Sequence, residues 1–306
     1  VYKEPLCRRY FAAPCSFAGI YCVGALVTLL LTPFFMAYDP YKFWLKTDTY
    51  LEQPEVTYTK ELLLLAEGFK GGEAFSASFS TLAGVNELNH AGVRGALVKS
   101  FPLDANSDGL VDRLVVNARL PLGQDEEIHS VKMLLFFRTR LRDRARVEMD
   151  TVAYIEHGGA LAGASMQVDG DLHLRQTWPL SVYGGYTYPY LDDPILEAGS
   201  ITSAHQALLS SLLARYASRN LTLDFEPRYA LWEQAPPYGA LGGGGAGASS
   251  RVFNVTAVVR INQQPVMYTP PVSEVLQAGW GKYVVMLAII LFLLDSLSAF
   301  VFRHQV

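Results

Sequence analysis

The stretch that decides the fold is YVVMLAIILFLLDSLSAFVF, residues 283–302, in which Asp295 is the single charged side chain. A second apolar stretch, YFAAPCSFAGIYCVGALVTLLLTPFFMAY, covers residues 10–38 and contains no Asp, Glu, Lys or Arg. An α-helix needs about 20 mostly apolar residues to cross the hydrocarbon core of a bilayer. The sequence therefore predicts two transmembrane helices, 16–38 and 281–302. The first could also be a cleaved signal peptide, but its apolar run is longer than is usual for one.

The charged residues divide by sign around these helices. Nearly all of the 25 basic and 29 acidic residues lie between 39 and 282, and the exceptions are Lys3, Glu4, Arg8, Arg9, Asp295 and Arg303. Short basic flanks of transmembrane helices stay in the cytoplasm. The sequence thus predicts cytoplasmic termini, 1–15 and 303–306, and an extracellular segment, 39–280, long enough to fold as a domain. The formal net charge of −4 has the wrong sign for a nucleic-acid-binding protein.

The segment between the helices has the pattern of mainly β-structure. Short alternating or β-branched runs end at Gly, Pro or Asp, and they cover 56–59, 74–79, 114–120, 131–147, 172–175 and 252–259. Strands at this spacing predict a sandwich-like domain. Residues 204–216 predict one helix, because leucines recur on one face after Thr202 and Ser203. We therefore expect an α+β membrane protein in which a mainly β extracellular domain, with one or two helices, lies between two transmembrane helices.

Two further local patterns lie beside the predicted spans and within this domain. Aromatic and basic side chains cluster beside each predicted span, and we expect them to anchor at the membrane interface: Phe43, Trp44, Lys46, Trp280 and Lys282. The run LGGGGAGASS, 241–250, has no side chain to bury and predicts a flexible loop.

The sequence DANSDGLVD, residues 104–112, has the spacing of a calcium-binding loop. Side-chain oxygens at its first, third, fifth and ninth positions and a carbonyl at its seventh are ligands that a hard cation requires: Asp104, Asn106, Asp108, Asp112 and Leu110. Val115 stands where an EF-hand has its bidentate Glu, and a strand rather than a helix follows the loop. We interpret the loop as a site for one structural Ca²⁺ of weak affinity, and the alternative is an ordinary Asp/Asn/Gly turn.

Two N-glycosylation sequons, at Asn220 and Asn254, both lie in the predicted extracellular segment. We expect them to carry N-glycans, which agrees with the predicted topology.

Five arginines recur at every second position, and they are Arg138, Arg140, Arg142, Arg144 and Arg146. On a strand they would share one face, which could bind an anionic partner such as an acidic protein, a glycan or lipid headgroups. The alternative is a solvated face that pairs with nearby acids. Asp295 is costly in lipid if ionised, so it should either face a partner helix or reach toward the inner interface.

The sequence contains no catalytic motif. The six histidines are scattered without metal-ligand spacing, and the Gly-rich run lacks the Lys-Ser/Thr of a phosphate-binding loop. A catalytic triad assembled only in space remains open at this point. We expect a protein that is not an enzyme.

The whole layout resembles the transmembrane protein 231 family, two-pass membrane proteins of the ciliary transition zone. The residues that carry the resemblance run in order along the chain: 43–46 with Tyr50 and 52–54; Asn106, Asp108, Gly109 and Asp112; 168–172 with 176–180; 219–222; Trp280 and Tyr283; and Phe302 with Gln305 and Val306. The chain departs from the family pattern at 82–99, at 241–250 and at Asp295.

The resemblance implies a structural subunit of the Meckel syndrome (tectonic-like) complex, located in the ciliary membrane at the transition zone. Such a subunit helps to form the diffusion barrier between the ciliary and plasma membranes, and it acts in ciliogenesis and ciliary signalling. The implied partners are meckelin-like, tectonic-like and C2-related proteins in a hetero-oligomeric complex. Two alternatives stay open: a calcium-stabilised adhesion or ligand-binding module on two anchors, and an extracellular hydrolase.

Overall fold

The computed structural model describes residues 13, 16–38, 44–82, 86, 92–123, 125–193, 195, 205–235 and 251–304. Within these residues, the helices are α1 (Phe17–Ala37), α2 (His205–Ala217) and α3 (Val272–His304). The strands are β1 (Asp48–Glu52), β2 (Glu55–Lys70), β3 (Glu73–Ser80), β4 (Leu97–Leu103), β5 (Arg113–Leu122), β6 (Glu126–Leu141), β7 (Val147–Gln176), β8 (Leu180–Ser181), β9 (Leu221–Gln234), β10 (Arg251–Arg260) and β11 (Gln264–Thr269). The predicted loop 241–250 lies outside the described residues.

The chain divides into two compact units. One contains residues up to Asp48 and from Thr269 onward, and so holds α1 and α3; the other is the β domain, Thr49–Tyr268. Both α1 and α3 are long and apolar enough to cross a membrane. The fold therefore confirms the predicted class, in which one candidate transmembrane helix precedes a mainly β domain in the sequence and a second follows it.

The ends of α1 follow from its sequence. Ser16 caps the first turn, because its Oγ accepts a hydrogen bond from Gly19 N at 3.2 Å. The helix ends at Ala37, and Tyr38 N still donates to Phe34 O at 2.8 Å. Helix α3 begins at Val272, nine residues before the predicted span of 281–302.

Helices α1 and α3 pack against each other. Tyr21 Oη lies 3.2 Å from Ser298 Oγ, and the Tyr21 and Phe302 rings meet edge-on with centroids 6.3 Å apart. The less exposed positions of α3 in this region recur every three or four residues, at Leu287, Ile290, Leu294 and Ser298. One side of α3 is therefore used for contact with α1.

The β domain is organised by β7, which is 30 residues long. Its first half pairs antiparallel with β6, while its second half pairs in parallel with β10 and antiparallel with β9. The strand order of the main sheet is β3-β2-β6-β7-β10-β5-β4, with β9 beside β7. Strand β7 thus belongs to two layers, one formed with β2, β3 and β6 and the other with β4, β5, β9 and β10.

The two layers enclose a single hydrophobic core. Buried side chains of the first layer, such as Leu64 and Phe137, belong to the same cluster as Val116 and Phe253 of the second. This arrangement is the sandwich-like domain that the strand spacing predicts. A smaller sheet, ordered β1-β11-β8, lies over a separate cluster that includes Val266.

Helix α2 covers the other face of the first layer. Its Leu209, Leu212 and Tyr216 pack on Leu134 and Val152 of the sheet. Tyr216 Oη also accepts a hydrogen bond from Leu223 N at 2.9 Å and donates to Leu223 O at 3.0 Å. The helix extends one residue beyond the predicted range of 204–216, to Ala217.

One predicted strand, 131–147, is interrupted in the structure. Strand β6 ends at Leu141 and β7 begins at Val147, so that residues 142–146 form the connection between them. The Glu52 carboxylate accepts hydrogen bonds from Arg142 N at 2.5 Å and Asp143 N at 3.2 Å. These amides are therefore bound by a side chain of β1 instead of by a neighbouring strand, which ends the ladder.

Candidate functional site

The loop DANSDGLVD connects β4 to β5 and is held by hydrogen bonds from its own backbone. Asp104 accepts from Ser107 N at 2.7 Å and from Gly109 N at 2.9 Å. Asp108 accepts from Leu110 N at 2.8 Å, and its other oxygen accepts from Asn106 Nδ2 at 2.8 Å. Ser107 and Gly109 have φ values of +61° and +85°, which a tight loop of this kind requires.

Asp112 closes the loop from the side of β5. Its carboxylate accepts from Ala105 N at 2.8 Å and from Gln53 Nε2 at 3.0 Å, and the hydrogen bond from Gln53 is the main cause that lowers the Asp112 pKa. Gln53 lies 59 positions away in the sequence, and no local pattern points to it.

The predicted ligands are thus brought into one loop, but their carboxylates accept hydrogen bonds from amides. Among the residues that the structure describes, no three His, Cys, Asp or Glu side chains are arranged to hold a metal ion. Carboxylate oxygens can accept more than one interaction, and the loop retains the oxygen chemistry that Ca²⁺ prefers. Calcium binding at this loop stays a prediction.

The arginine series is divided between a strand and a turn. Arg138 and Arg140 lie on β6, and their side chains pair with Asp150 at 3.3 Å and Glu148 at 3.0 Å. The remaining three, Arg142, Arg144 and Arg146, lie in the connection 142–146 because β6 has already ended. The predicted single face therefore covers only the first two residues of the series.

The connection that carries the other arginines is held by contacts with three strands, β1, β2 and β11. Arg142 pairs with Glu55, and the Arg144 guanidinium lies 4.9 Å from the ring centroid of Tyr268 while it donates to Tyr268 Oη. Ala145 N donates to Tyr50 Oη at 3.1 Å. Arg142 and Arg144 thus contact an acid and an aromatic ring of the same domain, as expected for a solvated surface whose charged side chains pair with one another. Binding of an anionic partner at these arginines stays a prediction.

Two ion pairs that the sequence did not reveal join the strands of the second layer. Arg260 of β10 binds the Asp169 carboxylate through two hydrogen bonds of 2.7 Å each, and this pairing lowers the Asp169 pKa. Arg228 of β9 binds Asp171 with a second bidentate contact, and Asn262 Nδ2 donates to Asp171 at 2.8 Å. The side chains of both aspartates are nearly buried. Charge-assisted bidentate contacts of this kind fix the register of β7 between its two neighbours.

Both sequon asparagines are accessible. Asn220 is exposed just before β9, and Asn254 is exposed on β10, where it stands opposite Arg119 of β5. The Thr222 side chain of the first sequon is buried.

The predicted interface residues that the structure describes are also exposed. Trp44 is 66% exposed and Trp280 62% exposed, and Lys46 and Lys282 lie on the surface beside them in the sequence. Phe43 lies outside the described residues. Among the described histidine side chains, His129 adjoins Phe69, His157 adjoins Trp232 and His173 adjoins Glu226.

Two apolar helices, one before and one after the β domain in the sequence, define a transmembrane protein with two candidate spans. The chain belongs to the Transmembrane protein 231 family, whose family model matches residues 1–306. This confirms the predicted resemblance.

Relatives from several vertebrates match the chain over its full length. It is 32% identical to Transmembrane protein 231 of Mus musculus, with 100% of this chain and 92% of that protein covered. The protein of the same name from Xenopus tropicalis is 30% identical, with 100% and 93% covered. Among solved structures, a cryo-EM structure of a proton-activated chloride channel covers 92% of this chain and 96% of its own at 7% identity, but the TM-score of 0.24 is too low for a fold comparison.

Proposed function

We propose that this chain is a non-enzymatic structural membrane subunit of the ciliary transition-zone complex. In this role it contributes to the diffusion barrier between the ciliary and plasma membranes, and to ciliogenesis and ciliary signalling. The observation that carries the proposal is the full-length membership of the Transmembrane protein 231 family. Meckelin-like, tectonic-like and C2-related proteins are the proposed partners in a hetero-oligomeric complex.

The proposed physical mechanism is obstruction of lateral diffusion. The β domain is a single folded body with one main core, and its strands are joined by ion pairs such as Asp169 with Arg260. A rigid domain on two membrane-spanning helices occupies area at the membrane surface that other proteins cannot enter. A single copy diffuses with the lipids, so the obstruction depends on assembly with partners.

The proposed topology places the termini in the cytoplasm and the β domain outside the cell. The basic residues at the two ends of the chain and the exposed sequons in the β domain support this orientation. The protein then presents its folded domain to the outer side of the ciliary membrane.

Proximity labelling in ciliated cells tests the location and the partners. The full chain carries the labelling enzyme at its C-terminus, and an unrelated two-span protein of the plasma membrane serves as the control. We expect the chain to label meckelin-like and tectonic-like proteins that the control does not label. Labelling of plasma-membrane adhesion proteins in place of these would contradict the proposal.

A deletion of the β domain tests the mechanism. We expect a variant that joins α1 to α3 without residues 49–268 to lose the exclusion of plasma-membrane proteins from the cilium. The measured quantity is the density of a plasma-membrane reporter in the ciliary membrane. The obstruction mechanism fails if this variant reaches the transition zone and still excludes the reporter.

A further inference from the structure

Asp295 is the one charged residue in the apolar stretch 283–302 of α3. Its side chain is exposed, and within the described part of the chain it makes no hydrogen bond or ion pair. At 1.5 Å per residue, Asp295 lies about 10 Å inside the end of this stretch at Phe302. A carboxylate at that depth meets lipid tails, which offer it no hydrogen-bond donor.

Helix α1 does not supply the missing partner. It contains no Lys or Arg, and it packs on the side of α3 that carries Ser298 and Phe302. Leu294, next to Asp295 in the sequence, is among the less exposed positions of that side, whereas Asp295 itself is exposed. Asp295 and the α1 contact therefore use different faces of the same helix.

The basic residue at the end of α3 is also out of reach. Arg303 lies eight residues after Asp295, which separates the two positions by about 12 Å along the helix axis. An ion pair needs its nitrogen and oxygen within about 4 Å. Snorkelling is a property of long side chains such as Lys and Arg, whereas Asp has one methylene group.

The face that carries Asp295 has the spacing of a helix-packing surface. We call it the exposed seam of α3, and its residues are Gly281, Val285, Ala288, Phe292, Asp295 and Ala299. They follow one another at alternating steps of four and three residues, and all are exposed. Ala288 and Ala299, on either side of Asp295 in the seam, are small enough for a second helix backbone to approach closely.

We propose that the exposed seam of α3 binds a transmembrane helix of another protein that carries an Arg or Lys side chain at the depth of Asp295. An ionised carboxylate only accepts hydrogen bonds, so its partner must be a donor, and a cationic donor also neutralises its charge. A second copy of this chain would bring a second carboxylate to the same depth, which opposes pairing. This proposal depends on α3 lying in a membrane and is independent of the ciliary role.

A binding experiment in lipid nanodiscs tests this partner chemistry. The full chain carries a fluorophore on a C-terminal tag, and the probe is a synthetic Leu/Ala transmembrane peptide with one Arg about 10 Å from one end. A twin peptide with Leu in place of Arg is the reference, and energy transfer measures binding. Polar contacts between transmembrane helices are modest, so we expect about tenfold tighter binding of the Arg peptide.

Three variants show whether the preference comes from the seam. Asp295→Leu and the nearly isosteric Asp295→Asn should both lose most of the preference for the Arg peptide. Glu274→Gln removes one negative charge from the same helix, outside the apolar stretch 283–302, and should keep the preference. Circular dichroism of each variant verifies that the helices and the β domain are intact.

Three results would overturn the proposal. They are equal binding of the two peptides to the unaltered chain, an Arg preference that survives Asp295→Leu, and self-association of the chain that depends on Asp295 without any peptide. The last result would assign the seam to a second copy of this chain.

Discussion

The Glu126 side chain is buried, with 1% of its surface exposed. Its carboxylate accepts two hydrogen bonds from the Arg94 guanidinium, at 2.5 and 2.6 Å, and one from Gly123 N at 2.7 Å. Lys70 Nζ forms an ion pair with the same carboxylate at 3.4 Å. The Arg94 side chain is the main cause that lowers the Glu126 pKa from 4.5 to about 2. The stability that this carboxylate contributes is therefore complete above about pH 4.5 and is lost as the pH falls toward 2. We expect Glu126→Gln to lower the free energy of unfolding by about 2–3 kcal/mol at pH 7.

Urea unfolding of the full chain in detergent, followed by tryptophan fluorescence, measures this effect. The difference between Glu126→Gln and the unaltered chain should shrink as the pH is lowered from 7 to 3. An equal difference at both pH values would show that the carboxylate charge is not what stabilises this site.

Glu52 has the opposite dependence on pH. Burial raises its pKa, although Arg142 N and Asp143 N donate hydrogen bonds to it. Because its folded-state pKa lies above the unfolded value, its contribution to stability is complete at low pH and falls as the pH rises through the folded-state pKa. We expect the stability lost in Glu52→Gln to be larger at pH 4 than at pH 7, in the same urea measurement. A loss that grows with pH would contradict the raised pKa.

Asp108 offers a test of the calcium loop that leaves its backbone hydrogen bonds intact. Asn at this position keeps an oxygen that can accept from Leu110 N, as Asp108 does at 2.8 Å, but it removes a charge. If the loop binds Ca²⁺ with a dissociation constant of order 10⁻⁴–10⁻³ M, then about 5 mM Ca²⁺ should raise the unfolding temperature of the unaltered chain. Asp108→Asn should show no such rise. An unaltered chain that does not respond to Ca²⁺ would leave the loop as an ordinary turn.

At the scale of elements, the turn between β6 and β7 and the parallel pairing of β7 show what the sequence can and cannot predict. The apolar helices and the alternating strands are predictable because each of their signals is contained in one short run of consecutive residues. The turn at 142–146 was not predicted, since it depends on Glu52, 90 positions earlier. The pairing of β7 with β10 likewise joins Asp169 to Arg260, 91 positions apart. Contacts between residues so far apart in the sequence leave no recognisable pattern within any short stretch of it.

The irregular pairing of β2 with β6 gives a prediction for a glycine. The register shifts between Glu67 and Gly68, and a Cβ at Gly68 would lie 1.8 Å from the backbone oxygen of Glu127. Because that oxygen is part of a strand, the sheet would have to deform. We expect Gly68→Ala to lower the free energy of unfolding by about 3 kcal/mol.

Gly95→Ala is the matched control, since its Cβ would meet no atom within 4 Å and its φ is not in the left-handed region. We expect this variant to change the unfolding free energy by less than about 0.5 kcal/mol. Equal effects of the two substitutions would mean that the close approach at Gly68 is relaxed without cost.

At the scale of the whole molecule, the two-layer architecture and the ion pairs explain how a β domain that contains no cysteine remains folded. Its three cysteines all lie within the first 22 residues, so disulfides cannot join the strands of the domain. The layers are held instead by one large apolar cluster and by bidentate pairs such as Arg228 with Asp171. Such a domain does not depend on an oxidising compartment for its stability.

The orientation of the molecule in the membrane is tested by its glycans. N-glycans are added only on the lumenal side, so both Asn220 and Asn254 should be modified if the β domain is translocated. We expect glycosidase treatment of the full chain to increase its electrophoretic mobility. Both asparagines are exposed. Asn220→Gln and Asn254→Gln should therefore each remove one N-glycan, and each should reduce the change in mobility that glycosidase treatment causes.

Asn117→Gln is the control for these substitutions, since Asn117 is outside any sequon and stands opposite Thr256 of the second sequon on the neighbouring strand. It should leave the shift unchanged. A chain that glycosidase does not shift, expressed beside a glycoprotein that does shift, would contradict the proposed orientation. With two spans, both termini must lie on the same side, so a cytoplasmic β domain would place both basic ends of the chain in the lumen, against the usual distribution of Lys and Arg.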